Sequence, residues 1–276
     1  MDNETSRGRR EERRVDPFER ISLDAIGTVV VEQGEAFAVV VEAPDEILDD
    51  VVTMVDESTL HIDVRSRLRR ARISAELLKV EVKLPRVRGL AIDGFGEISS
   101  GALHTDRLDV QIDGAGRIRL EAVEADQLSV GIDGRGALAV GSTQCLRCLV
   151  SVDGVGSADL RSVEAEKLDV KIDGRGRVEA LGRAQRVAVE VDGQGSAELR
   201  DLQAREAHVR IDGVGKAVVW AEESLDVRID GYGRVEYRGR PRIRERIDGT
   251  GRVVPVVATE QVGAACGETN PPATSM

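Results

Sequence analysis

The residues with the clearest chemical potential are nine aspartates, each set in the unit apolar-Asp-Gly-x-Gly: Asp93, Asp113, Asp133, Asp153, Asp173, Asp192, Asp212, Asp230 and Asp248. Carboxylates at a fixed period can hold a row of calcium ions. They can equally shape turns, because Asp before Gly accepts hydrogen bonds from nearby backbone N–H groups. Stacked at about 4.8 Å, such carboxylates repel by roughly 1 kcal/mol per pair in water-like surroundings. Arg117, Arg177, Lys216, Arg234 and Arg252, four residues on, and Arg135 and Arg175, two residues on, are placed to offset this across a turn. Nonapeptide calcium rolls use a shorter period and a different glycine placement, which favours turns over metal.

Other groups with chemical potential are scattered. Cys145 and Cys148 form a C-x-x-C that fits half a zinc site or a redox pair. One period earlier the same slots hold Ala125 and Leu128, and no second cysteine pair or nearby histidine completes a ligand set, so core packing is the expectation. Cys266 lies in the tail as an exposed thiol. His61, His104 and His208 share no slot, and no catalytic cluster follows from them. Tyr237 falls on an inward position, whereas Trp220 is outward and isolated. Arg238, Arg240, Arg242, Arg244 and Arg246 alternate along the last strands, with Arg228 on the face of Arg246. They suit an anionic glycan or lipid headgroup, or protection of a sheet edge that Pro241 and Glu245 also discourage from pairing.

The spacing of the aspartates says what must position them. Successive steps are 20, 20, 20, 20, 19, 20, 18 and 18 residues. Within a period Leu108, Val110 and Ile112 alternate with polar residues, and Ile118 and Leu120 resume the alternation after the glycines. Period two means strand, and an even repeat returns each side chain to the same face. Parallel coils can therefore stack in register, giving an all-β solenoid (β-helix) of ~20-residue coils with two or three short faces and nine circuits. The shorter steps must lose residues at a corner. VEADQ (123–127) and LGRAQ (181–185) read as loops. Gly114 and Gly116 fall inward at a corner, where a side chain would collide or where positive φ is needed.

Residues 1–16 are expected to be a disordered charged arm and 257–276 a disordered tail, flanking a solenoid over 17–256. Its lead-in strands occupy 17–84 and its repeats 85–256, with LDAIG (23–27) as a degenerate first copy and 65–79 as a loop or short helix. A net charge of −11 and only six aromatic residues in 276 argue against nucleic acid as the partner. No apolar run reaches the ~18 residues that span a bilayer, and MDNETSRGRREERRVDPFER lacks the apolar stretch of a secretory signal.

The opening FERISLDAIGTVVVEQGEAFAVVVEA (18–43), VDESTLHI (55–62), VKLPRVRGLAIDGFGEI (82–98), the DGxG units and the closing GYGRVEYRGRPRIRERIDGTGRV (231–253) resemble the putative auto-transporter adhesin head GIN domain family of bacteria. The resemblance covers about 17 to 255. It implies a right-handed single-chain parallel β-helix, an exported or envelope-attached location and no established activity. Relatives typically carry Ser where this chain has Asp before Gly-x-Gly.

The expected function is a non-enzymatic surface or envelope module, with affinity spread along a ladder and a glycan, an envelope component or a protein as partner. The alternative is a cytoplasmic self-assembling scaffold, since no leader is visible. A polysaccharide-cleaving enzyme would need clustered acids and sugar-stacking aromatics, which the sequence does not offer. No catalytic, cofactor-binding or metal-binding residue is assigned, and no cofactor is expected.

Overall fold

The computed structural model describes residues 8–65 and 77–256. The stretch expected as a loop or short helix falls mostly outside them, as do the C-terminal tail and Cys266.

From Phe95 onward the alternating sequence folds as the period requires. Strands β9 (Phe95–Ile112), β10 (Ala115–Ile132), β11 (Arg135–Val152), β12 (Val155–Ile172), β13 (Arg175–Val191), β14 (Gln194–Ile211) and β15 (Val214–Ile229) follow one another. Each pairs in parallel with the next, so that Ile118 lies between Ile98 and Leu138, and Leu128 between Leu108 and Cys148. The result is a β-solenoid of about 8 turns, because nine aspartate corners bound eight full circuits.

Each long strand bends. Between β10 and β11 the register is continuous over 115–120, 122–125 and 127–132, and breaks at Glu121, Asp126 and the Asp-Gly corner. A coil therefore has three faces around one apolar interior. VEADQ is not the expected loop. Its Val123 and Ala125 are buried and paired with Leu103 and Thr105 on one side and Thr143 and Cys145 on the other. This short middle face carries few apolar residues because only two of its positions point inward.

The shortened coils lose residues beside the Glu121 bend. The register shifts between Leu160 and Val163, where Ser162 takes φ +48° and Gly182, the partner of Val163, φ +134°. It shifts again between Leu199 and Gln203. Past these points Val187, Val189 and Val191 still point inward and stay buried, which is why a deletion is tolerated at a bend but not within a face.

The N-terminal end is built differently. β2 (Arg20–Leu23) and β3 (Ile26–Gln33) pair in parallel with β8 (Gly89–Ile92) and β9, setting Gly27 opposite Gly96. LDAIG is thus the first corner, with Asp24 in the slot of Asp93. Beyond it, β4 (Ala38–Ala43) runs antiparallel to β7 (Lys79–Leu84), and β5 (Val51–Asp56) antiparallel to β6 (Thr59–Val64). Glu57 and Ser58, both at positive φ, form the tight turn of that hairpin. A four-residue helix, α1 (Asp45–Leu48), buries Leu48.

Within the arm expected to be disordered, residues 9–12 form a strand. β1 (Arg9–Glu12) pairs antiparallel with β4, and Arg9 bridges to Asp45 and Asp49 while Arg10 bridges to Glu42 and Glu81. Two arginines of the arm reach acidic residues on β4, β7 and the α1 turn, which composition alone does not reveal.

At the other end β16 (Tyr232–Arg238), β17 (Arg242–Ile247) and β18 (Thr250–Pro255) finish the stack. β17 lies on β15 and β18 on β16, and every residue of β17 is exposed.

Candidate functional site

The repeated corner is fixed by its backbone. Asp113 N–H and Gly114 N–H both donate to the carbonyl of Ile92, at 3.0 and 2.9 Å, and Ala115 N–H donates to that of Gly94 at 3.0 Å. The same set recurs in every coil as far as Asp248 and Gly249, which share the Ile229 carbonyl. Glycine is required by close approach, not by positive φ: a Cβ on Gly134 would strike the carbonyls of Asp113 and Gly114, and one on Gly136 would lie 2.6 Å from Cγ2 of Ile112.

These donors are therefore committed to the preceding coil. The expected capping of each turn by its own carboxylate is not among the contacts, and the aspartates project outward as a row along one ridge. No group of three or more His, Cys, Asp or Glu is placed to hold a metal among the described residues.

The row is uneven. Arg210, Arg228 and Arg246, each two residues before its aspartate, hold Asp212, Asp230 and Asp248 at 2.5, 2.7 and 2.7 Å. The Arg228 guanidinium holds the Asp230 carboxyl below the usual carboxylate range. Asp113, Asp133, Asp153, Asp173 and Asp192 form no ion pair among the described residues. Partial burial, and then the charges of Asp173 and Asp212, push the Asp192 carboxyl up, opposed by the charge of Arg210.

The basic residues expected across the turn go elsewhere. Arg177 donates to Glu179 at 2.8 Å, Arg234 meets Glu236 at 2.6 Å, and Lys216 lies between Glu198 and Glu236. Arg117, Arg135, Arg175 and Arg252 form no ion pair among the described residues.

Beside the aspartates runs a second row that the sequence reading passed over: the variable residue of each DGxG unit. Phe95 is 57% exposed, Val155 and Val214 53% and Tyr232 66%, interleaved with Arg135 and Arg175. The signal was that x is the unit's one unrestricted position.

Two shallow grooves of about 590 Å3 each lie on other sides. One, over Gly101, Ala139 and Gly141, is flanked by the Arg119–Glu97 and Arg161–Asp159 pairs. The other lies over Ala125, Cys145 and Ala165 beneath an acidic rim.

The remaining candidates separate. His61 Nδ1 is 2.9 Å from Asp24, which also accepts from the Ser22 hydroxyl at 2.5 Å. His104 is 3.4 Å from Glu124, and His208 sits in register between Ala188 and Asp226. Asp24 bridges serine and histidine, so the serine hydroxyl is not held by the imidazole as a nucleophile requires. Cys145 and Cys148 are buried in the slots of Ala125 and Leu128. Tyr237 packs against the core. Trp220 is not isolated: Arg238 lies 4.7 Å from its ring centroid, and its Nε1–H donates to Glu222 at 2.7 Å. Glu245 lies opposite Val227 and is exposed.

A family model described as "Putative auto-transporter adhesin, head GIN domain" matches residues 17–179 and 145–241. No curated protein matches the sequence. Among solved structures, a putative lipid binding protein of Parabacteroides distasonis is 20% identical with a TM-score of 0.68, over 92% of this chain and 98% of that one. A putative adhesin of the same species is 19% identical with a TM-score of 0.69, over 90% and 96%. One from Parabacteroides merdae is 16% identical with a TM-score of 0.69, over 92% and 98%. At these identities the likeness is one of fold.

Proposed function

Because the chain belongs to the putative auto-transporter adhesin head GIN domain family, we propose that it is a non-enzymatic module of a bacterial surface or envelope that binds an extended partner along its flank. The observation that carries this reading is the corner ridge. It sets acidic, apolar and cationic side chains in two parallel rows across successive coils, at about 4.8 Å per step. The grooves beside it are shallow, and exposed Phe95, Val155, Val214 and Tyr232 offer contact area without a pocket. Affinity on such a surface accumulates from many weak contacts. A glycan chain or another envelope polymer fits it best, and no helix among the described residues is long and apolar enough to cross a membrane.

Excision of whole coils tests this. Removing residues 155–174 joins Gly154 to Arg175 and preserves the register. Each such single-coil excision is expected to leave a folded protein, by circular dichroism, that binds an immobilised bacterial cell-wall preparation several-fold more weakly. Abolition by one excision alone, with the others silent, would instead indicate a single pocket.

The exposed outer edges of β17 and β18 favour a second reading, end-to-end assembly as a scaffold. Sedimentation over a range of concentrations separates the two: a monomer at all of them supports the surface module, and filaments support the scaffold.

A further inference from the structure

Cys145 and Cys148 lie on two adjoining faces of one coil, on either side of the bend at Leu146 where the register breaks. Both slots point into the same wedge of the interior, and in the coils above and below they hold Ala125 with Leu128 and Ala165 with Leu168. Only the middle coil puts sulfur in both, and there the two thiols are close enough to perturb each other. Each lies under a groove, Cys145 under the one rimmed by Glu124 and Glu164 and Cys148 under a neighbouring one beside Arg107 and Lys167, but they are unequal in access: Cys145 is 6% exposed and Cys148 1%.

We propose that Cys145 and Cys148 form a redox-active dithiol that closes to an intrachain disulfide across this bend by exchange with a small neutral or cationic disulfide. Cys145 is the attacking group. Interaction with the Cys148 thiol draws the Cys145 thiol below the ordinary range, while the same interaction and burial push Cys148 well above it.

In the first step the Cys145 thiolate bonds to one sulfur of the incoming disulfide and the other sulfur leaves as a thiolate. In the second, Cys148 loses its proton and its sulfur bonds to Sγ of Cys145, expelling the second thiolate. The two cysteine protons end on the two released thiols, so one disulfide is reduced as one is formed. Asp106, Asp126 and Glu166 complete the acidic rim, which attracts a cation and repels an anion.

Trypsin cuts after Arg147, between the two cysteines, so peptides 136–147 and 148–161 stay joined only through the disulfide. The folded Cys266→Ser protein, which retains just this pair, is treated with cystamine or with glutathione disulfide and digested. The linked peptides are expected from the monomer band of a non-reducing gel, about tenfold faster with cystamine at low ionic strength and with a smaller margin in salt.

Cys148→Leu, which restores the residue of the neighbouring coils, should stall as a mixed disulfide on Cys145. Cys145→Ala should not react. Linkage that appears only in denaturant, linkage between molecules, or a mixed disulfide that persists with Cys148 present would each overturn the proposal.

Discussion

The two stretches of the aspartate row share one backbone corner and differ in electrostatics. From Asp113 to Asp192 the residue two places before each aspartate is Gln111, Gly131, Ser151, Lys171 or Glu190, and none of these aspartates has an ion-pair partner among the described residues. From Asp212 to Asp248 that residue is Arg210, Arg228 or Arg246, and each clasps its neighbour. The inter-coil bonds are the same in both, at about 3 Å throughout. The corner is therefore held by backbone pairing and by glycine, and the carboxylates are not needed to form it.

That comparison breaks if the carboxylates matter more than the glycines. The largest expected effect is from Gly134→Val, whose side chain would drive into the carbonyls of Asp113 and Gly114. It should cost at least ~3 kcal/mol in urea unfolding, whereas Asp133→Asn beside it should stay within about 0.5 kcal/mol.

A smaller effect separates the stretches by sign. Asp192 holds its proton more tightly folded than unfolded, so its charge is a cost at neutral pH that disappears as pH falls through the folded value. Asp192→Asn should thus stabilise the fold at pH 7 by about a few tenths of a kcal/mol once solvent screening is counted, read as a higher melting midpoint, and lose that advantage in acid. Asp230 is the reverse: its carboxyl is held low, so its contribution is present above the unfolded value and is lost as pH falls through the folded one. Arg228→Gln should return the Asp230 carboxyl toward the ordinary range, read by carboxylate NMR titration. The smallest effect is that of salt, which should stabilise the unclasped stretch by screening its repulsion.

Much of this was legible in the residues. The period followed from the aspartate spacing, the inward slots of Leu108, Val110 and Ile112 from alternation, and the inward positions of the two cysteines from the match to Ala125 and Leu128 one period earlier. The arginine partners did not. Residues i and i+2 of one strand share a face, so Arg228 reaches Asp230. A residue four places on has turned the corner and meets the carboxylate of its own new strand, as Arg177 meets Glu179. Strand direction was equally hidden: Val39 and Val41 alternate like any repeat strand, yet β4 runs antiparallel to β7. Period two does not encode direction. The middle face escaped notice because two inward positions make too short a pattern to distinguish from a turn.

The 20-residue match between neighbouring coils makes length and cross-section independent variables. Duplicating or losing a whole coil shifts everything beyond it by one strand spacing, about 4.8 Å, and leaves the outline unchanged. Descent by tandem duplication would adjust this protein's reach in fixed increments, as a ruler is lengthened by graduations.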